Sequence, residues 1–429
     1  MTQVTTTLQR SRLRWVLSAA CLPVVLGLLV AWLNVRGEAT VGAPTAAALA
    51  SPQLVERGAY LARAGNCMGC HSAAGAAEFA GGSGVDTPFG TVFAPNITPD
   101  PQTGIGNWSP GDFWRAMHHG RSRDGRLLYP AFPYPSYTKV TREDSDALYA
   151  YLRSVKPVEQ ASKAHDLAFP YNTQAALAVW RALFFRPGTI EPEPAKGAQW
   201  NRGRYLVDAL GHCAACHSAR NVLGATSLNA EFAGGLMPDK AWYAPSLADP
   251  AEAGLQHWSR EEAVRLLKSG VSTQAGVSGP MAQVVSSSTQ YLTGRDVDAM
   301  VDYLRSIPVR KVQKNEVARG SPDGFGRGAK VYEQLCASCH GDKGQGVFSI
   351  YPALAGNRAL SIESSNNLVQ VIRKGGFLPS TQGNPRPFGM PPFEQVLSGE
   401  DIAAVATYVR TSWGNAAAPV STLDVHRAR

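Results

Sequence analysis

Cys67-Met68-Gly69-Cys70-His71, Cys213-Ala214-Ala215-Cys216-His217 and Cys336-Ala337-Ser338-Cys339-His340 are three copies of one five-residue pattern, and they decide the architecture. They use six of the seven cysteines; Cys21, the seventh, lies in an apolar stretch near the start. No cysteine is left over for a structural disulfide. Two thiols at i and i+3 with a histidine at i+4 fit a single helical turn. That spacing is the attachment pattern of c-type haem, where the thiols add to the vinyl groups and the imidazole reaches the iron. A redox dithiol has no need of the histidine three times over, and tetrahedral zinc would need ligands drawn from separate copies. Three covalently bound haems c are therefore expected, held by Cys67, Cys70, Cys213, Cys216, Cys336 and Cys339, with His71, His217 and His340 as proximal iron ligands.

Working outward from each copy, the flanks repeat as well. Arg57-Gly58-Ala59-Tyr60-Leu61, Arg202-Gly203-Arg204-Tyr205-Leu206 and Arg327-Gly328-Ala329-Lys330-Val331 open the units. Asp146–Leu152, Asp298–Leu304 and Ile402–Val409 close them, with apolar residues at i, i+3 and i+4 of an amphipathic helix. The opening glycine lets the two helices cross at close range. Trp108-Ser109 and Trp258-Ser259 start helices that run without a gap to Gly120 and Gly270, and the serines are expected N-caps. The boundaries follow: 52–156, 198–308 and 322–414 are the three units. Residues 157–197 are a linker whose Ala175–Phe185 portion is a docked helix over a domain seam, with membrane or partner contact as the other reading. Residues 309–321 are a polar linker, and the tail 415–429 reads as loosely ordered.

A proximal imidazole is usually oriented by a hydrogen bond to a carbonyl. Ala94-Pro95-Asn96-Ile97, Ala244-Pro245-Ser246-Leu247 and Tyr351-Pro352-Ala353-Leu354 sit at corresponding places, so the carbonyls of Pro95, Pro245 and Pro352 are expected to accept it. The sixth ligand is expected from a Pro-rich loop before the closing helix. Gly389-Met390-Pro391-Pro392 offers Met390 and Gly279-Pro280-Met281 offers Met281. A thioether ligand raises the haem potential. The first unit reads Tyr129-Pro130-Ala131-Phe132-Pro133-Tyr134-Pro135 instead, and phenylalanine cannot ligate iron. Three outcomes stay open there: His118 or His119 substitutes, the iron is open or water-bound, or Met117 ligates. Alignment of the helices sets Met117 opposite Leu267, a core position, and His118 and His119 opposite Lys268 and Ser269, normally outward. Glu78-Phe79-Ala80-Gly81-Gly82 recurs as Glu231-Phe232-Ala233-Gly234-Gly235 and reads as a turn over the haem edge.

The 429 residues have 44% hydrophobic and 17% charged side chains, as in a globular protein. Arg10, Arg12 and Arg14 precede the apolar run Val16–Val35, which at about 20 residues is long enough to cross a bilayer core. Residues 1–36 are thus a signal anchor or a signal peptide that keeps the N-terminus cytoplasmic and exports the remainder. The expected location is the periplasmic side of the inner membrane. The +8 formal charge is offset by the propionates of three haems, and no nucleic-acid pattern is present. Nor is there a dinucleotide fingerprint, a nucleophile–base pair or a metal motif apart from the haems.

Leu183-Phe184-Phe185-Arg186-Pro187-Gly188, Trp200-Asn201-Arg202-Gly203-Arg204-Tyr205-Leu206-Val207 and Leu210-Gly211-His212 leading into the second copy carry a closer likeness. So do Asn96-Ile97-Thr98-Pro99-Asp100 and Arg410-Thr411-Ser412-Trp413-Gly414-Asn415. Over 52–415 the chain resembles the triheme cytochrome c subunits of bacterial membrane-bound alcohol, aldehyde, sorbitol, fructose and gluconate dehydrogenases. The resemblance implies a mainly α fold of three tandem class I-like cytochrome c domains behind a short N-terminal transmembrane or signal helix. It also implies a catalytic dehydrogenase partner of flavin, quinoprotein or molybdenum type and delivery of electrons to ubiquinone or a terminal acceptor. The family pattern has methionine at all three distal positions, and Phe132 departs from it. Two alternatives from other classes are a stand-alone carrier feeding a terminal oxidase and peroxidase-like catalysis at an open first haem.

Overall fold

The computed structural model describes residues 21–38, 42, 44–227, 230–310, 322–347 and 350–428. Arg10, Arg12, Arg14, the first part of the apolar run and the linker residues 311–321 lie outside the described residues. The rest of the run, 21–35, is helical. Among the described residues no helix is long and apolar enough to cross a membrane.

Each unit is built on the crossing of its opening and closing helices: Pro52–Ala64 on Arg142–Ser154, Ala198–Tyr205 on Gly294–Ser306, and Pro322–Leu335 on Gly399–Thr411. A glycine stands at each crossing. A Cβ there would lie 1.9 Å from the Ala147 carbonyl oxygen at Gly58, 1.9 Å from that of Ala299 at Gly203, and 2.2 Å from that of Ala404 at Gly328. Any side chain would force the helices apart. Beside the crossing, the arginine of the Arg-Gly pair grips an aspartate near the start of the closing helix. Arg57 Nε donates to Asp144 (2.8 Å), Arg202 Nε to Asp296 (2.9 Å) and Arg327 Nε to Asp401 (2.7 Å). Thr141, Thr293 and Ser398 cap the closing helices, and Ser109 and Ser259 cap Pro110–His119 and Arg260–Ser269.

Units one and two share one apolar core, in which Leu61, Phe79 and Leu148 pack with Leu206, Leu210, Phe232 and Trp258. Their seam is reciprocal. The Tyr60 hydroxyl donates to Asp296 Oδ2 (2.7 Å) and accepts from the Thr293 N–H (3.1 Å). The Tyr205 hydroxyl donates to Asp144 Oδ2 (2.7 Å) and accepts from the Thr141 N–H (3.2 Å). Each unit's opening tyrosine therefore completes the other's buried aspartate and helix start. The corresponding residue in unit three is Lys330, and unit three has a core of its own around Tyr332, Val369, Val405 and Val409. It leans on unit two through polar loop contacts: the Tyr243 N–H donates to Asn367 Oδ1 (2.8 Å) and Thr381 Oγ1 to the Ser269 carbonyl (3.3 Å).

The tail differs from the expected loose order. Thr422–Arg427 is a helix with a Ser421/Asp424 capping box. Val420, Val425 and Ala428 are buried in the third core, and the Ala428 carbonyl accepts from Gln370 and Arg373. The linker holds the helix Gln174–Phe184, capped by Thr173. Strands are short: Gly84–Thr87 pairs antiparallel with Gly90–Phe93 in the register Val85↔Val92, and Gly376–Phe377 pairs with Gly389–Met390.

Candidate haem-attachment centres

The three motifs form one-turn helices at Cys67–His71, Ala214–His217 and Ala337–His340, with Cys213 and Cys336 at the N-caps of the last two. In the first two, a left-handed residue turns the chain into the motif, Asn66 at φ 49° and His212 at φ 38°. None of the six thiols is in a disulfide. Burial pushes Cys67 and Cys213 up to about 12 and Cys336 up to about 11, so each is a neutral thiol packed against an apolar cluster.

Each histidine holds a proline carbonyl through Nδ1: His71 to Pro95 at 2.8 Å, His217 to Pro245 at 2.7 Å and His340 to Pro352 at 2.9 Å. Burial lowers all three imidazoles, against which the proline carbonyls act, so they are neutral at pH 7. With Nδ1–H donated, the lone pair of Nε2 is left for an electrophile. A glycine locks the histidine backbone in each unit. The N–H of Gly81 donates to the His71 carbonyl (2.8 Å), that of Gly234 to His217 (2.9 Å) and that of Gly346 to His340 (2.8 Å). A Cβ on Gly81 would sit 2.5 Å from the Pro95 carbonyl carbon, so this residue lets the proline loop reach the histidine. The repeated Glu-Phe-Ala-Gly-Gly turn is thus part of the centre. Asn96, 3% exposed, stiffens the first loop by accepting from the Thr98 N–H (2.9 Å) and donating to the Val158 carbonyl (2.8 Å).

The distal candidates occupy different surroundings. Met390, on the strand Gly389–Met390, packs in the same apolar cluster as Cys336. Met281 packs with the cluster of Cys213, but it lies in the first turn of a helix, Gly279–Ser287, where a loop was expected; Pro280 near the helix start favours that turn. In unit one, Phe132 packs against Tyr137 (centroids 5.4 Å apart), whose phenol faces Cys67 and Cys70. Met117 and its counterpart Leu267 are alike core residues, 7% and 8% exposed. His118 and His119, expected outward, are both buried. The His118 ring stacks on Trp114 at 4.3 Å, and its Nδ1 is buried with no hydrogen-bond partner among the described residues. Its counterpart Lys268 donates to the carbonyls of Gln290 (a direct bond) and Leu292 (2.7 Å), which precede the next closing helix. His119 lies among Arg115, Arg121 and Arg181. Burial lowers both histidines to about 4, so both are neutral at pH 7.

The first two centres adjoin. Cys70 and Cys216 are near enough to act on each other electrostatically. Tyr137 donates to the Gly65 carbonyl (3.2 Å) and meets the His212 ring edge-on at 5.5 Å, bridging the approaches to both motifs. Ser287, at the end of the helix that carries Met281, donates to Asn66 Oδ1 (2.7 Å). The π-helical turn Leu206–Leu210 leads into the second motif and buries Asp208, bonded by the Tyr303 hydroxyl (2.9 Å). None of these bridging residues carries a motif; only the Arg-Gly-x-Tyr repetition hints at the seam.

Two thiols on one turn, an oriented imidazole and an adjoining apolar cluster suit a covalently held haem in every unit. The donor set is wrong for zinc: among the described residues no group of three or more metal-ligating side chains gathers. The cytochrome c family model matches residues 55–156 and 201–308, and the model of cytochrome c oxidase, cbb3-type, subunit III matches 324–409. The cytochrome c subunit of alcohol dehydrogenase (quinone) from Gluconacetobacter polyoxogenes is 39% identical over 398 residues, 89% of this chain and 85% of that protein. The gluconate 2-dehydrogenase cytochrome c subunit of Pantoea cypripedii is 38% identical over 411 residues, 91% and 93% of the two chains. The fructose dehydrogenase cytochrome subunit of Gluconobacter japonicus is 36% identical over 446 residues, 96% and 89%. The chain belongs to the family of c-type cytochromes that includes these dehydrogenase subunits.

Proposed function

We propose that this chain is the electron-transfer subunit of a membrane-bound, quinone-reducing dehydrogenase. In this reading it takes electrons from a separate catalytic subunit and passes them to ubiquinone or another respiratory acceptor at the periplasmic face of the inner membrane. Three haems c, when bound, supply one-electron iron chemistry. The cysteine pairs would hold them in place, Nε2 of His71, His217 and His340 would bind the iron, and the carbonyls of Pro95, Pro245 and Pro352 orient the imidazoles. Met281 and Met390 supply thioethers to the second and third sites. The carrying observation is the threefold recurrence of a thiol pair on one helical turn with a proline-oriented histidine, in units packed in chain order. The extent of the dehydrogenase-subunit relatives favours this over a stand-alone carrier. Membrane attachment rests on the apolar run behind three arginines. Mass spectrometry of the exported chain tests the cofactors: three thioether-bound porphyrins are expected, and fewer would overturn the reading. Co-purification from native membranes tests the partner, with a catalytic dehydrogenase subunit as the expected companion.

A second feature concerns the first centre. The His118 ring is stacked on Trp114, Met117 packs in the core, and Phe132 stands at the methionine position. In this reading none of the three would supply a sixth ligand to a haem held at the first site. Carbon monoxide is expected to bind the reduced protein at one haem, and a fully low-spin spectrum insensitive to the gas would overturn this.

A further inference from the structure

A helix on a protein surface normally turns its charges outward and its apolar residues inward. The linker helix Gln174–Phe184 buries Leu177 and Ala182 as expected but departs from this pattern elsewhere. Its single charged residue, Arg181, is 3% exposed, while Val179 and Leu183, one turn apart on the outer side, are 48% and 56% exposed. Arg181 is consumed internally: it bonds the His119 carbonyl, donates from Nε to Asn34 Oδ1 (2.9 Å), and lies over the rings of Tyr134 and Phe185. The apolar surface extends beyond the helix. Trp180 Nε1 donates to the Leu223 carbonyl (2.9 Å), which sets the exposed Val222 and Leu223 beside it, and Phe169 projects just before the helix.

The 21–35 helix ends against the linker helix, with Asn34 buried beside Arg181. Asn34 donates from Nδ2 to the Ala178 carbonyl (2.9 Å), and Arg121 fastens the exit by donating to the Asn34 carbonyl (3.0 Å) and to Glu38 (2.8 Å). Leu22, Leu28 and Trp32 of that helix are exposed too. Gly37 comes next to Pro187, so Arg36 and Arg186 border the apolar region together.

We propose that this face, formed by Phe169, Val179, Leu183, Val222 and Leu223, is a bilayer-docking surface that lies in the head-group and upper acyl region of an anionic phospholipid membrane. The proposal rests on the membrane attachment argued above. The occupant is lipid and not a protein because the face is continuous with the apolar helix at 21–35, and the bordering cations suit anionic head groups. Docking at both places holds the body of the chain against the membrane, where a tether alone would leave it free to swing.

The test reconstitutes the full-length haem-loaded protein into vesicles of phosphatidylethanolamine and phosphatidylglycerol carrying a photoactivatable diazirine phospholipid, with labelled peptides read by mass spectrometry. Peptides covering 169–186 and 221–224 are expected to be labelled along with 21–35, several-fold above those containing Phe377 or Val396 of unit three, whose exposure lies within the range of the face residues. The double substitution Val179→Asp, Leu183→Asp should lose the label at 169–186 and keep it at 21–35, with unchanged haem absorbance. Labelling of 21–35 alone would overturn the docking face and leave the anchor standing. Labelling of neither would overturn attachment and face together. Crosslinking of 169–186 to the catalytic subunit in the native complex, in place of lipid, would also overturn it.

Discussion

Units one and two are joined differently from units two and three, and a single residue position accounts for much of the contrast. Tyr60 and Tyr205 each reach across to the other's aspartate, Asp296 and Asp144, inside a continuous apolar core. Lys330 stands at that position in unit three, whose Asp401 side chain is 22% exposed against 2% for Asp144 and 11% for Asp296, and whose core is separate. The first two units thus behave as one folding body and the third as a module resting on it. The same local repeat yields both outcomes, because whether a copy is self-sufficient depends on what one side chain of its opening helix can reach.

The largest expected effect breaks this contrast at the helix crossings. Gly203→Val should cost about 3 kcal/mol or more through the clash with Ala299 and destabilise units one and two together. Gly328→Val should unfold unit three and leave the Soret signal of the other two. Thermal melts with limited proteolysis distinguish the outcomes, and a Gly203→Val protein that keeps a protease-resistant first unit would contradict the shared core.

Next in size is a pH effect confined to the paired units. Burial lifts the Asp208 carboxyl to about 6, despite opposing contributions from Lys139, Tyr303 and Arg204 and with Glu231 adding to the rise. The folded state therefore binds this proton more tightly than the unfolded state. Its contribution to stability is complete below about pH 4 and is lost as pH rises through about 6. Over that window the wild type should lose up to about 3 kcal/mol from this group, and Asp208→Asn should remove the pH dependence. Denaturant titrations at several pH values measure it.

Smaller again is the seam itself. Tyr60→Phe or Tyr205→Phe leaves a buried aspartate short of one charge-assisted bond and should cost about 1.5 kcal/mol, read from denaturant midpoints. Lys330→Tyr should change stability by less than about 0.5 kcal/mol, since no partner aspartate waits for it. Phe132→Met sharpens the comparison within the pair with little change in stability: unit one then acquires the thioether of unit two, and carbon monoxide binding by the reduced protein should disappear.

Much of this was legible in the residues. The threefold motif, the Arg-Gly openings and the serine caps all mark local structure, and local structure is what short patterns encode. The histidine-to-proline bonds could be anticipated because both partners recur with the repeat. His118 was not legible. Alignment gives its position on a helix, but the fold of the loop at Thr138 decides whether that position faces water. The tail carried a signal, Ser421 three residues before Asp424 with Val425 following, that its short length obscured. The seam tyrosines were visible in Arg-Gly-x-Tyr, yet nothing local says that the partner of Tyr60 belongs to another unit.

That separation has a consequence for how the chain is built. Tyr60 and Asp296 are 236 positions apart. A polypeptide that emerges from its N-terminal end reaches its first seam tyrosine early and must leave that hydroxyl unmatched until more than half the chain has followed. Completion of the N-terminal body is therefore timed by synthesis of the second closing helix, whereas the C-terminal module can finish on its own schedule.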